Sequence, residues 1–182
     1  MTNRKHVILI IGLPGSGKTT IAKRLSRKYN IQHLSTELLR AEYLNIDREE
    51  SDCDFTEEQQ KHIYSELANK AVKILKTNDC LIIDGVFRSQ IQRTQLYETL
   101  SEIEDINYLK FWIQCEESIE VARLIERKNS NTICPAGVET FKKIKIVFEP
   151  PTVNENFIPI DNSDSLDSSL HNIFYIVDAV LL

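Results

Sequence analysis

Ile8 to Leu25 reads ILIIGLPGSGKTTIAKRL. An apolar, β-branched run breaks at a glycine, four residues follow, then Gly-Lys-Thr, then apolar residues at helical spacing. A short continuous run bounded by glycine suits a strand covered on both faces within a parallel sheet. Between strand and helix, Gly12-Leu13-Pro14-Gly15-Ser16-Gly17-Lys18-Thr19 fits the pattern G-x-x-x-x-G-K-[ST]. A chain of average composition and this length meets that pattern about once in 200 tries, and the strand-to-helix context makes coincidence rarer. At a helix N-terminus, exposed N–H groups and the helix dipole favour an anion. Glycines let the backbone wrap a β-phosphate, Lys18 neutralises β- and γ-oxygens, and the Thr19 hydroxyl is of the type that ligates Mg²⁺. ATP or GTP binding follows, with Gly12, Pro14, Gly15, Ser16, Gly17, Lys18, Thr19 and Thr20 as the expected site; a Gly-rich turn with a surface lysine is the plain alternative.

Outward from this loop, Leu81 to Asp84, Tyr108 to Ile113 and Phe157 to Ile160 repeat the buried-strand signal, and Gln32 to Ser35 gives a weaker one. Helical periodicity fills the intervals. Thr56 is the expected N-cap of one helix, with Gln59 in capping-box position and apolar residues at Ile63, Leu67, Ala71 and Ile74 or Leu75. Leu96, Leu100 and Ile103 mark another helix, and Leu166, Leu170, Ile173 or Phe174, Val177 and Val180 a third. Strands alternating with helices predict right-handed βαβ units and a three-layer α/β domain.

With 182 residues and 42% hydrophobic content, one core and a single domain over 1–182 are expected. The apolar run Val7 to Ile11 is too short for a secretory signal, and no other window approaches a membrane span. Cys53, Cys80, Cys115 and Cys134 form no C-x-x-C pair, so they read as reduced thiols of a cytoplasmic protein. The net charge of −5 carries no footprint for duplex nucleic acid. Asp47 to Asp54, with five acids in eight residues, reads as a solvated loop.

Asp84, at the end of an apolar strand, is placed to hold Mg²⁺ directly or through water if that strand lies beside the phosphate loop; otherwise it is a turn residue. Phosphoryl transfer needs cations beyond Lys18, and VARLIERK supplies Arg123 and Arg127, four apart on one helix face. Their plain reading is a solvated face paired with Glu120 and Glu126. Lys142, Lys143 and Lys145 read as surface residues, and His6, His33, His62 and His171 lack ligand or triad spacing.

The phosphate loop together with HLSTELLR (His33 to Arg40), LIIDGVFRSQIQR (Leu81 to Arg93), VARLIER (Val121 to Arg127) and FEPP (Phe148 to Pro151) resembles the small AAA-type P-loop kinases grouped with polynucleotide 5′-hydroxyl kinase, zeta toxins and gluconate kinase. The resemblance runs in order from Ile8 to Pro151. It implies a five-stranded parallel sheet of order 2-3-1-4-5, a substrate helix after strand two, and a lid near 127–141. In that family the turn after strand two carries an aspartate that accepts the acceptor hydroxyl's proton, with an arginine three residues on. Glu37 and Arg40 stand at those places, one methylene longer at the base. The loop Asp161-Asn162-Ser163 matches one that touches adenine, although these residue types also favour helix starts.

HLSTELLRAE and IDGVFR are similar to adenylate kinase segments as well. That resemblance implies Arg40 and Arg88 as a clamp on a nucleotide phosphate; this chain lacks the glycine before the acid and has Phe87 where proline is usual. The reading that emerges is an ATP- and Mg²⁺-dependent phosphotransferase acting on a hydroxyl of a small molecule or nucleotide-type acceptor, with no membrane partner. Lys18, Glu37, Arg123 and Arg127 are its catalytic candidates, Arg40 and Arg88 bind the acceptor, and Thr19 and Asp84 hold the metal. The alternatives are a nucleoside monophosphate kinase, or a nucleotide-binding ATPase or module without kinase activity; no D-x-x-G or N-K-x-D supports a switch. Neither the acceptor nor the oligomeric state is legible.

Overall fold

In the computed structural model, which describes residues 4–44, 55–128 and 137–181, the central strand β1 (Lys5–Ile11) has Val7 to Ile11 wholly buried. Its side chains alternate between two cores. Val7, Leu9 and Ile11 face α3 (Glu57–Leu75) and α4 (Gln90–Leu100), packing with Leu67, Ala71, Leu75, Leu96 and Leu100. Ile8 and Ile10 face α1 (Lys18–Tyr29) and α7 (Leu166–Leu181), packing with Ile21, Leu25, Ile173 and Val177. A strand covered on both sides has no polar face to show, which is why its sequence is a continuous apolar run.

β1 pairs in parallel with β3 (Cys80–Gly85) and β4 (Ile106–Gln114), while β2 (Gln32–Ser35) and β5 (Ile158–Asp161) close the edges. The sheet is five-stranded and parallel, of order β2-β3-β1-β4-β5. The remaining elements are α2 (Thr36–Leu44), α5 (Glu117–Lys128), α6 (Val138–Val147) and a 3₁₀ turn at Val153–Glu155. Register aligns Ile10 with Asp84 and Asp84 with Ser35. The C-terminal ends of β1, β2 and β3 therefore deliver Gly12, Thr36 and Val86 to one edge of the sheet, the usual ligand side of an open α/β sheet.

Thr56 caps α3 with the reciprocal Gln59 bonds expected of a capping box. Ile103 falls beyond the end of α4, although it still packs on that core. Cys80 and Cys115 are free thiols. Asp47 to Asp54, Cys134 and most of the expected lid lie outside the described residues. No helix among the described residues is long and apolar enough to cross a membrane.

Candidate active site

Gly12 to Thr19 turns tightly from β1 into α1. Gly17 adopts φ 96°, and a Cβ there would stand 2.4 Å from Asn162 Nδ2. Gly15 adopts φ 85°, with the Glu120 carbonyl 2.6 Å from its would-be Cβ. Only glycine satisfies both the left-handed backbone and the close approach. The loop is braced from behind: Asn162 Nδ2 donates to Ser16 O at 2.8 Å, and Arg123 Nη1 and Nη2 donate to the carbonyls of Gly15 and Asn162.

Lys18 is buried and its ammonium donates to Leu13 O at 2.7 Å. Burial lowers its pKa to about 8, against the opposing attraction of Asp84 and Glu37; the charge on Arg127 adds to the lowering. Ser16 Oγ is buried without a hydrogen-bond partner among the described residues. A buried ammonium and an orphaned hydroxyl in a glycine turn fit a phosphate group.

At the end of β3, Asp84 is 2% exposed. Thr19 Oγ1 donates to its Oδ2 at 2.6 Å, and His33 Nε2 lies 2.6 Å from its Oδ1. Burial would raise the Asp84 pKa, but the His33 and Thr19 hydrogen bonds and the His33 and Lys18 charges outweigh it and hold the carboxyl below its usual range. Two hard oxygens, Thr19 Oγ1 and an ionised Asp84 Oδ2, meet next to the phosphate loop. That donor set fits Mg²⁺, which binds through few protein oxygens alongside phosphates.

A cleft of about 490 Å³ opens from this point. Lys18, Thr19 and Asp84 line it; Glu37, Arg40 and Arg88 line it from α2 and the turn after β3. Arg127, Thr140, Lys143 and Ile144 contribute from α5 and α6, and Phe55, Tyr64 and Val86 add apolar surface. Arg40 Nε is buried without a hydrogen-bond partner among the described residues, while its guanidinium sits 5.4 Å from the Phe55 ring centre.

Residues 11–140 of the chain match the family described as AAA domain. An adenylate kinase of Prochlorococcus marinus (strain MIT 9301) is 34% identical over 127 residues, which span 68% of this chain and 69% of the relative. The chain belongs to the AAA-domain family of P-loop kinases. This kinase is also 25% identical over 175 residues to a probable adenylyl-sulfate kinase of Aeropyrum pernix, covering 96% of one chain and 93% of the other. Its fold matches the crystal structure of a sugar kinase from Janibacter sp. HTCC2649 with a TM-score of 0.73, at 16% identity and over 97% and 96% of the two chains.

Sequence and structure differ at several places in the kinase. Arg123 does not line the cleft; from the first turns of α5 it reaches the outer carbonyls of the loop instead. Thr20 is exposed in the first turn of α1 and is not among the residues lining the cleft. Lys143 is exposed, as read from the sequence, and also lines the cleft. His33, assigned nothing from spacing, holds the Asp84 carboxylate. The β2–β3 register that sets Ser35 opposite Asp84 brings His33 to it, and spacing along the chain gives no sign of that pairing. Phe87 adopts φ 45°, a conformation closed to proline, whose ring fixes φ near −65°. The turn after Asp84 therefore has a different backbone from the adenylate kinase pattern with proline.

Proposed function

We propose that this kinase transfers the γ-phosphoryl group of ATP to a hydroxyl of an acceptor that also carries an anionic group. One observation carries the reading: the phosphate loop and Glu37, Arg40 and Arg88 line the same cleft, with Glu37 near enough for its charge to act on Lys18. Its volume suits one small acceptor beside the triphosphate tail. The loop amides and Lys18 hold the β- and γ-oxygens. Thr19 and Asp84 would hold Mg²⁺, which when bound neutralises charge on the triphosphate. Glu37 takes the acceptor hydroxyl's proton as the new oxygen–phosphorus bond forms, and the β–γ bridging oxygen leaves with ADP. Arg127 stands on the cleft wall to meet charge on the transferred group. Arg123 braces the loop that binds ATP, and Arg40 and Arg88 orient the acceptor through its anion.

A nucleoside monophosphate acceptor is the second reading, favoured by the two arginines in one cleft and the unpartnered Arg40 Nε. The left-handed Phe87 argues against it. ADP release, measured over nucleosides, nucleoside monophosphates, sugars, sugar phosphates and 5′-hydroxyl oligonucleotides, identifies the acceptor. With a hydroxyl acceptor, Glu37→Gln is expected to lower kcat by roughly 100-fold or more with ATP affinity intact, and Glu37→Asp to restore part of the rate. An already ionised phosphate acceptor needs no base, so a mild Glu37→Gln with severe Arg40→Ala and Arg88→Ala supports the second reading. A silent Glu37→Gln with a hydroxyl acceptor removes Glu37 as the base.

A further inference from the structure

Phe148-Glu149-Pro150-Pro151 carried part of the family resemblance without a role. In the structure it follows directly from α6, and Phe148 stacks on Trp112 with ring centres 6.5 Å apart. Glu149 then reaches the turn that presents Arg88. Its N–H donates to Arg88 O at 2.7 Å, and its carboxylate accepts from Gln90 N at 2.7 Å, tying off the start of α4. Beneath this contact lies Arg93, with no exposed surface. Arg93 Nη1 donates to both Phe87 O (2.9 Å) and Glu149 O (3.1 Å), while Nε and Nη2 grip the two oxygens of Glu155 at 2.6 and 3.0 Å. Glu155 in turn accepts from Thr152 N at 2.9 Å.

We infer that Arg93 and Glu155 are positioning residues for the acceptor: they lock the Phe87–Arg88 turn against Glu149 and so fix where Arg88 enters the cleft. The turn needs such a lock. Phe87 occupies a left-handed conformation that residues with a Cβ visit sparsely, and three hydrogen bonds hold it there: Tyr64 Oη accepts from Phe87 N at 3.1 Å, Arg93 takes Phe87 O, and Glu149 takes Arg88 O. A buried ion pair is a poor device for packing alone, since apolar side chains of similar volume do as well. A planar fork that joins two carbonyls from separate segments to one carboxylate sets geometry instead. Because Glu149 follows α6, whose Thr140, Lys143, Ile144 and Val147 line the cleft, the same lock sets the spacing of two cleft walls.

The inference rests on the reading of Arg88 as an acceptor residue, and the test separates the two. Wild type, Glu155→Gln, Arg93→Lys, Arg88→Ala and the double variant Arg88→Ala with Glu155→Gln are compared. Backbone deuterium exchange of the protein alone is followed at Phe87, Gln90 and Glu149 and across the phosphate loop, and ATP affinity is measured by calorimetry. Glu155→Gln and Arg93→Lys are expected to speed exchange at those three amides at least about 10-fold while the phosphate loop stays protected. ATP affinity is expected to stay within about 3-fold, and the KM of the acceptor found by ADP release to rise at least about 10-fold, with no further rise when Glu155→Gln is added to Arg88→Ala. Unchanged exchange, additive KM effects, or ATP affinity lost in step with the acceptor each overturn the inference. If Arg88→Ala leaves the acceptor KM unchanged while exchange still quickens, the lock stands as a feature of the turn but the acceptor role of Arg88, and with it this inference, falls.

Discussion

Lys18 is a buried ammonium that donates to the carbonyl of Leu13 in its own loop. Burial lowers its pKa to about 8, against the opposing charges of Asp84 and Glu37. The ammonium can donate a charge-assisted hydrogen bond to a phosphate, so Lys18→Ala is expected to weaken ATP binding at least about 10-fold, the loss of one such contact of more than about 1.4 kcal/mol. Because deprotonation removes the cation, wild-type affinity should fall as pH rises through 8, and the variant should lack that fall. Calorimetric titration of ATP between pH 6.5 and about 9 checks both. Equal affinity in the two proteins would remove Lys18 from the site. Lys18 was legible because its motif is contiguous. His33, Asn162 and Arg93 were not, because each acts on a group far along the chain: Asp84 is 51 positions from His33, Ser16 is 146 from Asn162, and Glu155 is 62 from Arg93. Arg93 did leave a trace, an arginine in helical phase with Leu96 and Leu100 on the buried side of α4.

At the level of elements, local chemistry was read well where it closes within one turn. Thr56 and Gln59 make their reciprocal bonds, and α3 begins at Glu57. Thr56→Ala is expected to cost about 1 kcal/mol, which for a chain of this size lowers the melting temperature by about 2–4 °C in a calorimetric scan. A melting temperature unchanged by Thr56→Ala would mean that the cap is offset by solvent at the helix start. Strand interiors were also legible, since burial on both faces leaves an unbroken apolar run, while strand ends were not: β1 begins at Lys5, where Lys5 pairs with Asp79 at 2.9 Å and apolar character gives no guide. The face of α6 escaped for a related reason. Lys142, Lys143 and Lys145 look alike in sequence, yet Lys142 and Lys145 pair with Glu139 and Glu117, while Lys143 turns into the cleft.

Across the whole molecule, the sheet order collects the loops after β1, β2 and β3 at one edge, so that charge accumulates where ligands bind. Glu120 bears the cost of that convergence. It is 3% exposed, beside the phosphate loop, and burial raises its pKa to about 7; Lys18, Lys145 and Arg123 draw it down and Glu117 pushes it up. A carboxyl whose folded pKa lies above its unfolded value binds an extra proton in the native state between roughly pH 4.5 and the raised pKa. Stability therefore falls as pH rises through that window, and above it the full penalty of a buried charge is present, of the order of 3 kcal/mol for a shift of this size. Glu120→Gln removes that charge and is expected to stabilise the protein above pH 7, with the advantage shrinking toward zero by pH 4.5. The same change removes a negative charge near the triphosphate site, so ATP affinity at pH 8 should rise or hold steady. Urea denaturation of both proteins at pH 5, 6, 7 and 8 reads the stability difference directly. A Glu120→Gln variant less stable than wild type at pH 8 would mean that the attraction of Glu120 to Lys18 and Arg123 outweighs its desolvation, and that the acid supports the phosphate loop instead of burdening it.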